Sequence, residues 1–409
     1  MVRINENYLR LAPNYLFSEI AKRAKEFQAA NPGAQLMRLG IGNTTEPLAP
    51  AVVRGLHEGV DRLARAETYT GYGDEQGDAA LRERIAQVKY RDNGVDISPD
   101  EVFISDGAKP DTGNIQTIFA ADAVVALQDP AYPVYVDTNV IAGRGGKLGE
   151  DGLFEDFVYM PCTEENGFIP DVPPRRPDLI YLCSPNNPTG AVASREQLAR
   201  FVDYALTHDA VILFDAAYAP FIREPDLPRS IYEVPDARRC AIELNTFSKE
   251  AGFTGVRLGW TVVPKNMAVD AKNPRSLNEL WNRRTTTFFN GASNVVQVGG
   301  LAALTPEGQA QNAAVIDLYL RNAATIREGL RAIGLTVYGG TNAPYVWVKC
   351  PDGLTSWQFF DKLLYEAHVI TTPGAGFGPH GEGFLRLSAF GHPKDIARAV
   401  QSIEEKVKL

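Results

Sequence analysis

Six short apolar runs, rich in β-branched residues, recur between residues 101 and 263: EVFIS (101–105), AVVAL (123–127), LIYLC (179–183), AVILFD (210–215), CAIELN (240–245) and GWTVV (259–263). No other feature of the chain narrows its fold so far. Apolar runs this short, without polar alternation, read as strands buried on both faces. Helical patterns lie between several of them. One is SREQLARFVDYALTHD (194–209), which opens on an N-cap at Ser194. Strands alternating with helices predict the α/β class: a mostly parallel sheet flanked by helices on both faces. In such sheets ligands sit beyond the carboxyl ends of the strands, so residues at strand ends are the ones to examine.

The flanks read differently. Residues 14–30 show helical spacing at Leu16, Ile20, Ala24 and Phe27, and DAALRERIAQVKY (78–90) reads as a second amphipathic helix. Beyond residue 300 a long helical stretch (about 305–332) leads to YVWVKC, a helix near 355–367 and GEGFLRLSAFG, an α+β texture. A chain of 409 residues exceeds one small core. The expected organisation is a large α/β domain over 45–299 and a smaller α+β domain built from 1–44 and 300–409.

Several classes of function are disfavoured. The net charge is −9, with acids and bases mixed throughout and no basic stripe for nucleic acid. No apolar segment reaches the length of a membrane span, and the first residues carry no continuous apolar signal core. A soluble cytoplasmic protein is expected, or a plastid one if a transit peptide has been removed. Cys162, Cys183, Cys240 and Cys350 are scattered and read as buried free thiols, and the five histidines form no metal motif. No metal is expected.

The strand ends carry the candidates. ISDGAKPDTGNIQ (104–116) is a strand, a tight Asp106–Gly107 turn and a helix start, whose free amides suit a phosphate. QDPAYPVYVD (128–137) puts Tyr132 between prolines, either to stack on a flat ring or simply to pack. In CSPNNPTG (183–190) two asparagines and two prolines make a stiff loop from which Asn187 can offer its amide. Asp215 ends the run ILFD; it serves either a protonated ring nitrogen or the N-cap of the next helix. Tyr218 follows three residues later. Finally, TFSKEAGFTGVR (246–257) offers the hydroxyls of Thr246 and Ser248, the planar donor of Arg257 and, between them, Lys249. A lysine beside cations loses stability as an ammonium and becomes available as a nucleophilic amine. This set describes the needs of pyridoxal phosphate: an imine partner, a ring-nitrogen partner, a ring-oxygen donor and a phosphate cup.

DGAK, PNNP, FDAAY, SK and an arginine eight residues on, in that order, resemble the fold type I pyridoxal-phosphate aminotransferases. APNYLF, RLGIGNTTEPL, GYGDEQG, FFNGASN and GAGFGPHGEGFLRLSAFG extend the resemblance over residues 12 to 391, and are similar to the branch acting on diaminopimelate. The resemblance implies that Lys249 forms the imine with the cofactor and then moves the substrate proton. It implies Asp215 at the ring nitrogen, Tyr218 and Asn187 at the ring oxygen, and Tyr132 stacked on the ring. Ala108, Lys109, Thr246, Ser248 and Arg257 would surround the phosphate, with Tyr72 from a neighbouring subunit of a homodimer. Arg386 would clamp the substrate α-carboxylate. Tyr15, Gly42, Lys109 and Asn290 would line the substrate pocket together with Tyr132 and Asn187, and Glu75 of the neighbour would read a distal ammonium. The implied reaction is ping-pong: glutamate donates to tetrahydrodipicolinate, giving LL-diaminopimelate and 2-oxoglutarate, a step toward lysine. A related aspartate or aromatic aminotransferase, a lyase or a pyridoxal-phosphate-binding regulator would keep the same cofactor residues. The pattern leads one to expect serine at Thr246, cysteine at Pro110, and tyrosine at Asn294 and Phe384. Thr246 keeps the hydroxyl for the phosphate, and the other three departures touch fine substrate preference, not the cofactor.

Overall fold

A computed structural model describes residues 2–11, 16–267 and 275–408. A two-residue strand, β1 (Met37–Arg38), comes first and later pairs in parallel with β11 (Val369–Ile370). The main sheet has seven strands: β2 (Val102–Ser105), β3 (Val125–Asp129), β4 (Val158–Pro161), β5 (Leu179–Cys183), β6 (Val211–Asp215), β7 (Ala241–Thr246) and β8 (Gly259–Val262). Their order across the sheet is β2-β8-β7-β6-β5-β3-β4. Only β8 runs against its neighbours. Because it opposes both β2 and β7, those two share a direction, and the carboxyl ends of β2, β3, β5, β6 and β7 meet at one edge.

The reason for the apolar runs is visible in β6. Ile212 and Phe214 pack into one core, Val211 and Leu213 into another across the sheet. Both faces are covered by helices, so no position is left for a polar residue until the strand ends at Asp215. Each such buried side chain contributes on the order of 1.5–3 kcal/mol. The strand missed by sequence reasoning is β4, at the sheet edge, where burial alternates and Pro161 ends it.

A second sheet holds β9 (Val337–Gly339), β10 (Tyr345–Lys349), β12 (Thr372–Pro373) and β13 (Phe384–Ser388), ordered β12-β13-β10-β9 and antiparallel. Its core takes Trp347, Phe359, Leu385 and Leu387, and also Leu16, Ile20, Ala24 and Phe27. These last four lie on the helix Leu16–Ala30, and they are the four positions read from spacing. The helix Pro306–Ala332 bridges the cores: Ile316 and Tyr319 sit in one, Ala323, Ile326 and Leu330 in the next.

Two local features deserve the detail. Helix Arg195–His208 is capped as expected, with Ser194 Oγ accepting from the Gln197 amide at 3.1 Å and the Ser194 amide donating to Gln197 Oε1 at 2.9 Å. The helix expected over 78–90 is regular only over Ala79–Ile85 and widens into a π turn over Ala86–Tyr90. The extra residue turns Tyr90 inward, where its hydroxyl donates to Glu243 Oε1 at 2.8 Å and accepts from Trp260 Nε1 at 3.0 Å. All four cysteines are buried and free. Among the described residues no helix is long and apolar enough to cross a membrane.

Candidate active site

The carboxyl edge of the main sheet opens on a cavity of about 360 Å³. Lys249 stands in it, on the short helical turn Phe247–Glu250 that follows β7. Thr246 caps this turn, its Oγ1 accepting from the Ser248 amide at 3.1 Å. The Lys249 ammonium donates to the Gly42 carbonyl and lies 5.4 Å from the Phe390 ring centre. Burial, then the nearby Arg386 and Arg257 cations, bring its pKa down to about 8, against the pull of Asp215. About a tenth is therefore the free amine at pH 7, far more than for an ordinary lysine.

Asp215, at the end of β6, is buried in the same cavity. Tyr135 donates to its Oδ2 at 2.7 Å and the Ala217 amide to its Oδ1 at 3.0 Å. Burial pushes its pKa up, and these two donors pull it back. The contact with Ala217 is a local turn, so Asp215 does not cap a following helix; its other contact is with Tyr135. Among the described residues no cation is hydrogen-bonded to it, which leaves it suited to a positively charged ligand atom.

Arg386 lies at the middle of β13, opposite Trp347 of β10. It is 1% exposed. Its Nη1 donates to Asn187 Oδ1 at 2.6 Å and its Nη2 to the Gly40 carbonyl at 2.7 Å, while Nε has no partner. Phe377 and Tyr345 flank the guanidinium, with ring centres 4.8 and 4.4 Å from Cζ. Among the described residues no carboxylate pairs with it. A buried guanidinium held only by neutral oxygens is a site for an anion, and its planar fork fits a carboxylate.

A second anion cradle forms where three chain segments touch. Gly107 adopts φ +136°, and a side chain there would bring a Cβ within 2.5 Å of Arg257 Nη2. At Gly259 a Cβ would stand 2.8 Å from the Gly107 Cα. Glycine is required at both positions by close approach. Arg257 itself is held at φ +72°, a strained setting for a side chain. Its Nη1 donates to the Thr254 carbonyl at 3.1 Å and to Ser248 Oγ at 3.4 Å. The helix Ala108–Ile115 starts here, so Ala108 and Lys109 line the cavity with Thr246, Ser248 and Arg257. Cation, hydroxyls and helix amides are the donor set a phosphate takes.

Twelve expected residues thus share one cavity: Gly42, Ala108, Lys109, Tyr132, Asn187, Asp215, Tyr218, Thr246, Ser248, Lys249, Arg257 and Arg386. Tyr15 lies outside the described residues. Tyr72, Glu75 and Asn290 are not among the residues lining the cavity. Tyr72 is 87% exposed. Asn290 is exposed. The chain leaving helix Leu277–Phe288 runs along the surface, and a Cβ on Gly291 would lie 2.8 Å from the Asp74 carbonyl. Asn290 is therefore grouped with Glu75 and Tyr72. Asn294 joins them, donating to Thr70 Oγ1 at 2.9 Å and the Gly71 carbonyl at 3.0 Å. Phe384 lies flat on Trp347 at 5.2 Å in the C-terminal core, and Pro110 lines a separate cavity.

Sequence reasoning missed Tyr135 and Tyr345. The Tyr345 hydroxyl lies 2.7 Å from that of Tyr218. Tyr135 falls three residues after Tyr132, a spacing that would place it on the same helical face; Tyr345 carried only a strand pattern.

The fold and the site are those of an aminotransferase. Residues 34–403 match the class I and II aminotransferase model, and the chain belongs to that family. It is 51% identical to the LL-diaminopimelate aminotransferase of Bacteroides fragilis (strain YCH46) over 410 residues, all of both chains. Its structure is similar to that of L,L-diaminopimelate aminotransferase from Chlamydomonas reinhardtii, with 48% identity and a TM-score of 0.93 over 99% of this chain and 98% of that one. The aromatic aminotransferase from Pyrococcus horikoshii is more distant, at 25% identity and a TM-score of 0.79 over 93% and 97%. Pyridoxal phosphate is the cofactor of this family, and the residues present fit it: a cavity amine, a buried carboxylate without a cation, and an anion cradle around Gly107.

Proposed function

We infer that the chain transfers an amino group between LL-diaminopimelate and 2-oxoglutarate, in the direction glutamate plus tetrahydrodipicolinate when it serves lysine biosynthesis. The observation that carries the substrate is the full-length identity of 51% to an LL-diaminopimelate aminotransferase. The buried Arg386, which no carboxylate of the described chain neutralises, supports an α-amino acid as ligand.

Bound in the cavity, pyridoxal phosphate supplies an aldehyde carbon for the amino group and a ring that withdraws electrons from the substrate Cα. The chain's residues do the rest. Ala108, Lys109, Thr246, Ser248 and Arg257 hold the phosphate. Asp215 would keep a proton on the ring nitrogen, and Tyr132 would cover the ring. Tyr218 and Asn187 face the ring oxygen. Lys249 Nζ would be the amine that holds the cofactor aldehyde and, when free, the base that takes the substrate Cα proton. Arg386 fixes the α-carboxylate, and so sets which Cα–H bond faces Lys249. Gly42 and Lys109 complete the described part of the pocket.

The exposed Tyr72 and Asn290, with the half-buried Glu75 beside them, support a homodimer in which a second copy delivers these residues to the cavity. Glu75 would then pair with the distal ammonium of diaminopimelate, which glutamate lacks. We further take 45–299 as the large domain and 1–44 with 300–409 as the small one, and the cytoplasm as the compartment.

The test is an assay with LL-diaminopimelate and 2-oxoglutarate, following glutamate, with meso-diaminopimelate as control. Glutamate should form from the LL isomer. Its absence overturns the substrate assignment.

A further inference from the structure

Tyr345 has no task in the account above, yet it touches three of its actors. It opens β10 and is 1% exposed. Its hydroxyl oxygen lies 2.7 Å from that of Tyr218. Its ring face carries the Arg386 guanidinium, with Cζ 4.4 Å from the ring centre. Its hydroxyl also fills the space over Gly42, where any Cβ would collide with it, and Gly42 gives its carbonyl to Lys249. Glycines fix the backbone: a Cβ on Gly190 would stand 2.6 Å from the Tyr345 carbonyl and one on Gly339 2.8 Å.

We propose that Tyr345 is a positioning residue: its O–H donates to the Tyr218 oxygen, turning the Tyr218 O–H into the cavity, while its ring holds the Arg386 guanidinium in place for a carboxylate. The inference rests on the reading of the cavity as a pyridoxal-phosphate site. Either hydroxyl can donate in the empty cavity, which both line; a ring oxygen in front of Tyr218 sets the direction, because it takes the Tyr218 proton and leaves Tyr345 to donate. The Tyr345 hydroxyl has Tyr218 as its one hydrogen-bond partner among the described residues. Were Tyr218 the donor, its proton would be spent on Tyr345 and the ring oxygen would lose that contact. With Tyr345 as donor, its single proton is used and the Tyr218 proton is left for a ligand. Burial keeps both groups as neutral phenols at neutral pH. A hydroxyl that accepts one hydrogen bond also donates a stronger one. Tyr345 thus strengthens the contact made by Tyr218 on the ring oxygen.

The test uses the cofactor-loaded protein and two variants. Y345F removes only the hydroxyl, and Y345L removes the ring as well. Two quantities are read: the pH midpoint of the cofactor's visible absorbance change, and the Kd of 2-oxoglutarate, which carries no amine and binds the aldehyde form without reacting. A weaker Tyr218 donor leaves more negative charge on the ring oxygen, which then holds the neighbouring proton more tightly. Y345F should therefore raise the midpoint by on the order of half a pH unit while leaving 2-oxoglutarate binding within about twofold. Y345L should raise the midpoint too, and weaken 2-oxoglutarate by roughly tenfold or more. A Y345F midpoint equal to or below the wild-type value overturns the hydroxyl's part, and unchanged 2-oxoglutarate binding in Y345L overturns the ring's. If Y345L does not fold, Y345F still decides the direction of the hydrogen bond. If the wild-type protein shows no visible band with pyridoxal phosphate, the reading of the cavity has failed instead.

Discussion

Replacing Tyr135 with phenylalanine should raise the pKa of Asp215 and make cofactor binding depend on pH. Asp215 is buried, and burial favours its neutral form. Two donors oppose this: the Tyr135 hydroxyl at 2.7 Å and the Ala217 amide at 3.0 Å. The substitution removes one of the two and keeps the ring, which is stacked on Tyr181 at 5.1 Å. A hydrogen bond to a charged group contributes about 1.5–3 kcal/mol, so the pKa should rise by roughly 1–2 units. A donor to the carboxylate favours the charged form, so its loss moves the pKa up. As pH falls through the raised value, Asp215 takes a proton and ceases to attract a protonated ring nitrogen. The Kd for pyridoxal phosphate in Y135F should therefore grow relative to wild type as pH is lowered. Carbon-13 NMR of aspartate carboxyls in the cofactor-free protein, assigned with D215N, measures the pKa directly. An Asp215 midpoint unchanged in Y135F, or a ratio of Kd values that does not vary with pH, would refute the reasoning.

Three further outcomes are expected. Lys249 has a folded pKa of about 8, below its unfolded value, so below that pH folding must bury an ammonium. Cofactor-free K249M should melt above wild type at pH 7, and the gap should close as pH rises from about 8 toward the unfolded lysine value near 10.4; a gap that is constant with pH contradicts this. G107A places a side chain at φ +136° and 2.5 Å from Arg257 Nη2. It should cost about 1–3 kcal/mol in denaturant melts and weaken pyridoxal phosphate by tenfold or so, and a Kd unchanged from wild type would remove the cradle from the argument. E75A should depress kcat/KM for LL-diaminopimelate far more than for glutamate, and equal losses would end the proposed role of Glu75.

How much of this was legible in the sequence follows from range. The main sheet could be read because its inner strands are covered on both faces and so show as unbroken apolar runs. Asp215 was legible as the acid that ends such a run, and Lys249 as a lysine directly after another. Edge strand β4 was not, since one of its sides meets solvent and the run dissolves into alternation. Tyr135 and Tyr345 were invisible for a different reason. Each is an aromatic among apolar residues, and its polar use depends on a partner 80 or 127 residues away along the chain. The π turn at Ala86–Tyr90 has no periodicity of its own to betray it. Tyr72, Glu75 and Asn290 could be named from resemblance but not located, because a single chain leaves them on its surface.

The helix Pro306–Ala332 bears on how the molecule comes apart. Its 27 residues form an uninterrupted rod that contributes Ile316 and Tyr319 to the core beneath the cavity and Ala323, Ile326 and Leu330 to the core of the second sheet. The Tyr319 hydroxyl also accepts the amides of Thr45 and Glu46 at 2.9 Å, just beyond the Gly42 segment that Lys249 holds. Neither sheet can shed its share of this rod without uncovering the other. Heat should accordingly dismantle the chain in one cooperative step, and a nick within the helix should cost both sheets at once.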